Sequence, residues 1–207
     1  MPMCIGTCAM VFIPLIVEKI LHCKIHPIVY LFGELYTIGP MFGVCYKLYY
    51  ITTWWDKLMH ISGGFLFALI GLYLIQYLNR NKVSALSCSL FALCFSIAIS
   101  ACWEFVEFGS DRLFGSDMQK DTVLTAVRTE YLGDAPGTVG SIDNIEEVVV
   151  NGEKLPVKGY IDIGLFDSME DMFVESAGAL IVAVFYLIDR GKHKLFIREQ
   201  PEIYVGV

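Results

Sequence analysis

Apolar stretches about as long as a membrane-crossing helix recur along the chain, separated by polar links. A helix needs roughly 20 mostly apolar residues to cross the hydrocarbon core of a bilayer. Shorter segments still suffice when flanking polar side chains extend to the interface. Three segments reach the full length, residues 27–46, 58–78 and 83–103, and two are shorter, residues 2–17 and 172–188. The pattern therefore predicts five membrane-spanning helices.

Two further features refine these apolar segments. Residues 2–17 have neither the basic start nor the small-residue cleavage pattern of a secretory signal peptide, so we expect a retained helix. Small residues cluster at Gly63-Gly64, at Gly71 and over residues 176–179. Because small residues let helix backbones approach closely in a membrane, we expect helix–helix contacts at these positions.

One connection between the apolar segments is long and polar. Residues 109–171 hold thirteen acidic and five basic residues. Residues 122–132 alternate in a manner typical of a strand, and residues 133–141 are rich in turn formers. Asn151-Gly152 lies between two strand-like runs, and this dipeptide favours a type I′ hairpin turn. We predict a small antiparallel meander outside the membrane, inserted as residues 112–166 between the fourth and fifth helices.

The composition indicates a membrane protein rather than a soluble one. Hydrophobic residues make up 56% of the 207 residues and charged residues only 18%, against about a quarter in a typical soluble domain. These values exclude disorder, collagen-like repeats and a small disulfide scaffold. The net charge of −7 argues against nucleic-acid binding. We predict an all-α integral membrane helical bundle, a single domain over residues 1–207, with a small β-rich extracytoplasmic insertion.

Lysine and arginine near the helix ends predict the orientation, because cytoplasmic ends carry more of them. One side of the predicted bundle has eight such residues: Lys19, Lys24, Arg80, Lys82, Arg190, Lys192, Lys194 and Arg198. The short link on the opposite side has only Lys47 and Lys57. We therefore expect a cytoplasmic C-terminus and an extracytoplasmic location for residues 109–171.

Three pairs of polar residues stand at the predicted outward ends of the third, fourth and fifth helices. The pairs are Asp56 with His60, Glu104 with Glu107, and Asp167 with Asp171. Residues three or four apart share one helix face. Charged groups near hydrocarbon are costly unless they are paired or solvated. Three such pairs at one membrane level therefore predict a common site.

The chemistry of the predicted cluster suits a cation. Packed carboxylates repel one another, so they must stay protonated or meet a cation. Carboxylate oxygens with one imidazole suit Mg²⁺, Mn²⁺ or Zn²⁺. We predict one divalent cation held by Asp56, His60, Glu104, Glu107, Asp167 and Asp171. The substrate-binding residues predicted around this cation are Lys57, Arg112, Lys120 and Asp121.

A structural polar network is the alternative for the same residues. Asp56 and Asp167 stand near predicted helix starts, where a carboxylate accepts free backbone N–H groups. His60 needs no metal to hydrogen-bond a carboxylate. Glu34 lies alone in the middle of a predicted helix, and we expect it to pair with His60, a tyrosine or a backbone carbonyl.

Four motifs accompany these residues: Trp55-Asp-Lys-Leu-Met-His60-Ile-Ser-Gly-Gly64, Trp103-Glu-Phe-Val-Glu107-Phe-Gly-Ser-Asp111-Arg-Leu-Phe-Gly115, Met118-Gln-Lys-Asp-Thr122 and Gly159-Tyr-Ile-Asp-Ile-Gly164-Leu-Phe-Asp167-Ser-Met-Glu-Asp171. These motifs resemble those of the YjdF-like family of predicted bacterial multi-pass membrane proteins. The resemblance implies a place in the bacterial cell (inner) membrane and brings no activity with it. The family usually has an amide where this chain has Glu175. The Asp56-Lys57-x-x-His60 element is also similar to one in VanZ-like proteins.

Three functional hypotheses follow, and whether the protein is an enzyme stays open among them. The first is a metal-dependent enzyme that acts on a lipid-linked or envelope substrate such as a phosphate ester, with the metal activating water. The second is a non-enzymatic scaffold or partner-binding protein of the lipid bilayer, whose polar cluster is structural and whose insertion caps the helix ends. The third is a cation or proton transporter, which the location of the cluster at one membrane face disfavours.

Overall fold

The computed structural model describes residues 2–21, 25–80 and 82–189. The chain divides into two compact units, which we term the helical unit (Met1–Trp103 with Asp171–Val207) and the insertion unit (Glu104–Glu170). The helices are α1 (Pro2–Met10), α2 (Ile13–Leu21), α3 (Pro27–Cys45), α4 (Leu48–Ile51), α5 (Trp55–Leu78), α6 (Ala85–Phe114) and α7 (Leu165–Asp189). The described residues are thus mainly helical, as the apolar pattern predicts.

Four of the described helices, α3, α5, α6 and α7, are long and apolar enough to cross a membrane. α5 and α7 begin earlier than their apolar segments, and α6 continues past residue 103, because polar residues at helical spacing prolong each helix. Gly115 follows α6 with a φ of 64°, a left-handed conformation that commonly ends helices. Four of the five predicted spans are therefore confirmed as candidate membrane helices.

The first predicted span is divided in the structure. α1 and α2 have nine residues each and are separated at Val11 and Phe12. Pro14 explains the division, because proline has no N–H group with which to continue the hydrogen bonds of the preceding turn. Nine residues rise only about 14 Å, against roughly 30 Å for the hydrocarbon core. The expected continuous helix over residues 2–17 is wrong, and the count of five spans stays a prediction.

The core of the helical unit lies where α5 meets α6 and α7. Its buried apolar residues are Ala68, Leu69 and Leu72 of α5, Cys88 and Ala92 of α6, and Ala179 and Val182 of α7. Helices in a membrane associate through close packing and interhelical hydrogen bonds. The buried hydroxyl of Ser89 donates to the carbonyl oxygen of Ala183 across this core at 3.0 Å.

Glycines bring the helix backbones of this core into contact. Gly64 on α5 lies against the carbonyl group of Glu175 on α7. A Cβ added at Gly178 on α7 would lie 2.5 Å from the carbonyl oxygen of Ile61 on α5. The predicted role of small residues in close helix packing is therefore confirmed.

Large apolar side chains remain exposed on the helices of the helical unit. Leu31 of α3, Leu90 of α6 and Phe185 of α7 are each more than half exposed. Extended apolar surface of this kind marks contact with a membrane or a partner. Together with the four candidate spans, this surface indicates a protein embedded in a lipid bilayer.

The insertion unit contains three two-stranded antiparallel pairs among its described strands. β1 (Val123–Leu124) pairs with β6 (Tyr160–Ile161), β2 (Val127–Thr129) with β3 (Gly140–Ile142), and β4 (Val149–Val150) with β5 (Glu153–Lys154). The second and third pairs are nested in sequence between the strands of the first. The predicted meander is wrong in topology, because the two outermost strands pair with each other rather than with sequence neighbours.

The predicted hairpin turn is confirmed in this unit. Asn151 and Gly152 have φ values of 52° and 85°, and Val150 pairs with Glu153 on either side of them. The predicted strand over residues 122–132 is interrupted instead. Its last part is a 3₁₀ helix over Glu130–Leu132, because the Thr129 side chain caps it by accepting the N–H of Tyr131.

Candidate functional site

Five polar side chains of α5 and α7 lie together in the helical unit. We term them the polar cluster: Asp56, Lys57, His60, Asp171 and Glu175. Asp56 and Lys57 stand in the first turn of α5, and His60 follows one turn later. Asp171 and Glu175 are likewise one turn apart on α7. A spacing of four residues places each pair on one helix face. The cluster therefore forms because two helices that pack together each present one polar face.

The imidazole of His60 lies between carboxylates. Its Nε2 atom is 3.5 Å from Oδ2 of Asp171 and 3.8 Å from Oδ1 of Asp56. Its Nδ1 atom is 3.7 Å from Oε2 of Glu175. Lys57 completes the cluster by donating from Nζ to Oδ1 of Asp171 at 2.7 Å. Both nitrogens of His60 therefore face acidic oxygens.

The two cluster residues in the first turn of α5 are more exposed to solvent than the other three members. The side chains of Asp56 and Lys57 are each 25% exposed, whereas those of His60, Glu175 and Asp171 are 8%, 4% and 1% exposed. Buried charges are strongly unfavourable unless they are paired and hydrogen-bonded. The buried carboxylates therefore depend on positive groups within the cluster.

Asp56, His60 and Asp171 form a group that could hold a metal ion. Each offers one ligand atom, and these atoms all lie within 4.8 Å of one another. Ligands held about 2.1 Å from one ion lie at most about 4.2 Å apart. A small approach of the side chains would therefore allow all three to bind the same ion.

The cluster has more acidic groups than basic ones. Three carboxylates, those of Asp56, Asp171 and Glu175, face the ammonium group of Lys57 and the imidazole of His60. Oε1 of Glu175 is buried and has no hydrogen-bond partner among the residues that the structure describes. A buried acceptor without a donor loses its solvation without compensation. The cluster therefore favours an additional positive charge.

Asp56 and Asp167 lie inside the first turns of α5 and α7, and a capping role for their carboxylates stays a prediction. The N-cap of α5 is Trp54, which makes no side-chain capping bond, and Asp56 is the second residue of the helix. Asp167 lies within the first turn of α7. Its Oδ2 atom accepts the backbone N–H of Lys120 at 2.8 Å, a group that lies outside α7.

The remaining predicted ligands belong to the insertion unit. Glu104 and Glu107 are buried on α6, and Asp167 is buried at the start of α7. The structure thus brings together three of the six predicted ligands in the helical unit. A role for Glu104, Glu107 and Asp167 in the same site stays a prediction.

Three of the four predicted substrate-binding residues also lie in the insertion unit. The guanidinium group of Arg112 is 5.4 Å from the ring centre of Phe108. Lys120 donates to the backbone carbonyl of Asp117 and lies 3.5 Å from its carboxylate. Asp121 is exposed. Substrate contacts of these residues stay predictions, and Lys57 is the predicted substrate residue within the polar cluster.

Asp162 has a structural role that the sequence interpretation missed. Its carboxylate accepts backbone N–H groups of Thr122, Gly164 and Phe166 at 2.9, 3.2 and 2.7 Å. It thereby joins the start of β1 to the start of α7. An aspartate shortly before a helix and followed by glycine is the signal that indicates such a role.

Asp111 fixes the chain that follows α6 in a similar way. Its carboxylate accepts from the backbone of Met118 and Gln119 at 2.7 and 2.9 Å, and from the hydroxyl of Ser116 at 2.7 Å. Acidic residues of the insertion unit thus include backbone acceptors as well as predicted ligands. The acidic composition of this segment alone does not separate the two roles.

Glu34 does not show the expected pairing. Its Oε2 atom is buried and makes no hydrogen bond within the described part of the chain. Glu175 has a clearer place, because it faces His60. Its four-residue spacing from Asp171 is the sequence signal that links it to the cluster.

Comparison with known proteins assigns the chain to a family without assigning an activity. No curated protein matches it, and no solved structure does. A family model described as "Predicted membrane protein (DUF2238)" matches residues 3–192, a range that includes every residue of the polar cluster. The match fits the YjdF-like resemblance of the motifs. The chain therefore belongs to the DUF2238 family of predicted membrane proteins.

Proposed function

We propose that this membrane protein binds one divalent cation between α5 and α7 through Asp56, His60 and Asp171. One observation carries the proposal: the three ligand atoms all lie within 4.8 Å of one another. The buried Oε1 atom of Glu175, which has no hydrogen-bond partner in the described residues, independently favours an added positive charge. Two carboxylates and one imidazole suit Mn²⁺, Zn²⁺ or Mg²⁺.

The activity we propose for this cation is hydrolysis of a lipid-linked or envelope phosphate ester. Three protein ligands leave coordination positions for water and for a substrate oxygen. A bound divalent cation makes water a better nucleophile and offsets charge that develops on the phosphate. The proposal itself depends on the helical unit alone. Cation binding by Glu104, Glu107 and Asp167, and substrate binding by Lys57, Arg112, Lys120 and Asp121, stay predictions from the sequence.

A structural polar network is the second candidate, and one contact favours it. Lys57 donates to Asp171 at 2.7 Å, and a charge-assisted hydrogen bond of this kind neutralises a carboxylate without a metal. The cluster would then serve to hold α5 and α7 together in a non-enzymatic scaffold. Metal content distinguishes this candidate from the first.

Elemental analysis of protein purified in detergent without chelators tests cation binding. We expect about one Mn²⁺ or Zn²⁺ per chain in the wild type after exposure to either ion. His60→Ala and Asp171→Asn should each lower the metal affinity at least about tenfold. Each substitution removes a ligand, and loss of even a residue that supports a ligand commonly lowers metal affinity by about this factor. Asp134→Asn, which alters an exposed carboxylate of the insertion unit, should bind normally. Wild-type protein without stoichiometric metal would overturn the proposal and favour the scaffold.

Turnover of labelled lipid-linked phosphates tests the proposed reaction separately. We expect phosphate release that requires Mn²⁺ and is lost in His60→Ala. Stoichiometric metal without turnover of any such ester would contradict the enzymatic proposal and leave cation binding intact.

The proposed orientation places the C-terminus in the cytoplasm and residues 109–171 outside a bacterial inner membrane. It depends on the basic residues near the helix ends, of which Lys24, Arg190, Lys192, Lys194 and Arg198 lie outside the described residues. Topology reporters fused after residue 80 and within residues 151–152 test it. A cytoplasmic signal from the second fusion would contradict the orientation.

A further inference from the structure

Lys57 lies beside Asp171, where a bound cation would have to be. Its Nζ atom is 2.7 Å from Oδ1 of Asp171 and 3.8 Å from Oδ2 of Asp56. Both carboxylates are ligands of the proposed cation site. An ammonium group and a divalent ion at ligand distance from the same carboxylates would repel each other strongly in a poorly solvated site. The two cations are therefore in competition.

We propose that Lys57 is a displaceable counter-ion: a divalent cation takes its place beside Asp171, and the released ammonium group then binds an anionic group of the phosphate type. The inference rests on the proposed cation binding. The buried Oε1 atom of Glu175 has no hydrogen-bond partner among the described residues, so neither Lys57 nor His60 donates a hydrogen bond to it. A divalent ion bound beside Asp171 would add positive charge near this buried acceptor.

The surroundings of Lys57 allow this exchange. Its side chain is 25% exposed, whereas that of Asp171 is 1% exposed. A lysine side chain is a flexible four-carbon stem with a compact charge, so it can leave its partner without any backbone movement. Asp171 remains fixed at the helix contact. Lys57 is thus the solvent-accessible member of the ion pair, and Asp171 is the buried one.

A phosphate group fits the arrangement that results. One of its oxygens can coordinate the cation while another accepts from the released ammonium group. While Lys57 is bound to Asp171, the same ammonium is engaged and the cation position is occupied. Cation and phosphate should therefore increase each other's affinity, because binding of either favours the released state of Lys57.

Equilibrium binding of Mn²⁺, followed by electron paramagnetic resonance on the full chain in detergent, tests the competition. Lys57→Met should bind Mn²⁺ about tenfold more tightly than the wild type, since loss of a charge-assisted hydrogen bond is an effect of this order. Lys57→Arg keeps the positive charge and should stay close to the wild type. Lys158→Met removes an exposed lysine of the insertion unit and serves as the matched control. Lys57→Gln replaces Lys57→Met if that variant does not fold.

The outcomes separate this inference from the proposed function. Equal Mn²⁺ affinity of the wild type and Lys57→Met would overturn the inference and leave cation binding intact. Absence of Mn²⁺ binding in the wild type and in all Lys57 variants would overturn both. Binding by Lys57→Met alone would overturn both as well, because it would show that no cation displaces Lys57 in the wild type.

A second titration tests the anionic ligand and its source. Inorganic phosphate is added in detergent, and phosphatidic acid is incorporated into phosphatidylcholine nanodiscs. We expect at least one of them to tighten Mn²⁺ binding several-fold in the wild type and neither to do so in Lys57→Met. An effect of inorganic phosphate alone indicates a soluble phosphate ester, and an effect of phosphatidic acid alone indicates a lipid headgroup. No effect of either, or an effect that persists in Lys57→Met, would overturn the anion-binding role of Lys57.

Discussion

Gly64 on α5 touches the backbone of Glu175 on α7 so closely that an added Cβ would lie 2.1 Å from the carbonyl oxygen. The same Cβ would lie 3.1 Å from the backbone nitrogen of Ala179. Gly64 therefore sets how near α7 comes to α5. It thereby also sets the distance between His60 on one helix and Asp171 on the other, on which the candidate cation site depends.

Gly64→Ala should destabilise the protein by about 1–3 kcal/mol, because backbone atoms rather than flexible side chains must move to make room. It should also weaken Mn²⁺ binding by separating the ligands on the two helices. The apparent melting temperature in detergent and the Mn²⁺ affinity measure the two effects.

Gly109→Ala is the matched control for this substitution. Nothing lies within 4 Å of a Cβ added at Gly109 on α6, and alanine favours the helical conformation over glycine. Its melting temperature should therefore be unchanged or raised. A Gly64→Ala protein as stable as this control would show that the glycine contact does not limit helix separation.

The ion pair between Lys57 and Asp171 should show a measurable coupling energy. Lys57→Gln and Asp171→Asn, made singly and together, form a double-mutant cycle in which the stability effects fall short of additivity. We expect a coupling of about 1–3 kcal/mol, because the hydrogen bond is charge-assisted and Asp171 is buried. Unfolding by denaturant in mixed micelles provides the measurement. Additivity within about 0.5 kcal/mol would mean that the contact does not stabilise the helical unit.

Helical periodicity explains how much of the candidate site the sequence predicts. A four-residue spacing is sufficient to place Asp56 with His60 on α5, and the same spacing links Asp171 to Glu175 on α7. The contact between Lys57 and Asp171 depends instead on how two distant helices pack, and no local pattern determines it. The sequence therefore predicts the polar face of each helix but not the ion pair that joins the two faces.

In the insertion unit, too, the sequence predicts local structure but not contacts between distant segments. The hairpin at Asn151 and Gly152 is predictable because its two positive φ values depend on these two residues alone. The pairing of β1 with β6 and the role of Asp162 are not, because Asp162 accepts from Thr122, which lies forty positions earlier in the chain. The structure therefore reveals what local sequence patterns cannot predict: the interactions between segments that are remote in sequence.

Ile163 stores backbone strain that a substitution should relieve. Its φ is 58°, a left-handed conformation that β-branched residues rarely adopt, and the residue is 72% exposed. Ile163→Gly should stabilise the insertion unit by about 1 kcal/mol, because glycine adopts this conformation without steric cost and little apolar contact is lost. Slower amide hydrogen exchange at the start of α7 would show this increase in the stability of the insertion unit.

Gly164→Ala, at the next residue, should have the opposite effect on stability. Gly164 has a φ of 82°, and an added Cβ would lie 2.6 Å from Cβ of Gln119. Alanine should therefore speed exchange in the same region. If Ile163→Gly also speeds exchange, the isoleucine contributes more through contacts than it costs through strain.

Asp121 should make the stability of the insertion unit depend on pH. Although the residue is exposed, partial desolvation of its carboxyl group, followed by the carboxylates of Asp117, Asp162 and Asp111, raises its pKa above the usual 3.8. The folded state then holds the proton more tightly than the unfolded state does. Ionised Asp121 therefore disfavours folding above its raised pKa, and this penalty is lost as the pH falls towards 3.8.

Asp121→Asn removes this penalty and should raise the melting temperature at pH 7. The difference from the wild type should shrink as the pH falls and vanish only below the unperturbed pKa of 3.8, where Asp121 is protonated in both the folded and the unfolded state. Melting temperatures measured for both proteins between pH 7 and 3.5 test this. A difference that does not change with pH would assign the effect of the substitution to something other than the charge.

The nesting of strand pairs in the insertion unit implies an order of folding. β2–β3 and β4–β5 join segments close in sequence, and hairpins of this kind form within about 1–10 μs. β1–β6 joins the two ends of the segment, so its formation has a larger loop-closure entropy cost. Formation of the inner hairpins shortens the flexible loop that remains. We therefore expect the insertion to fold from its inner hairpins outward, with closure of β1 onto β6 as its slow final step.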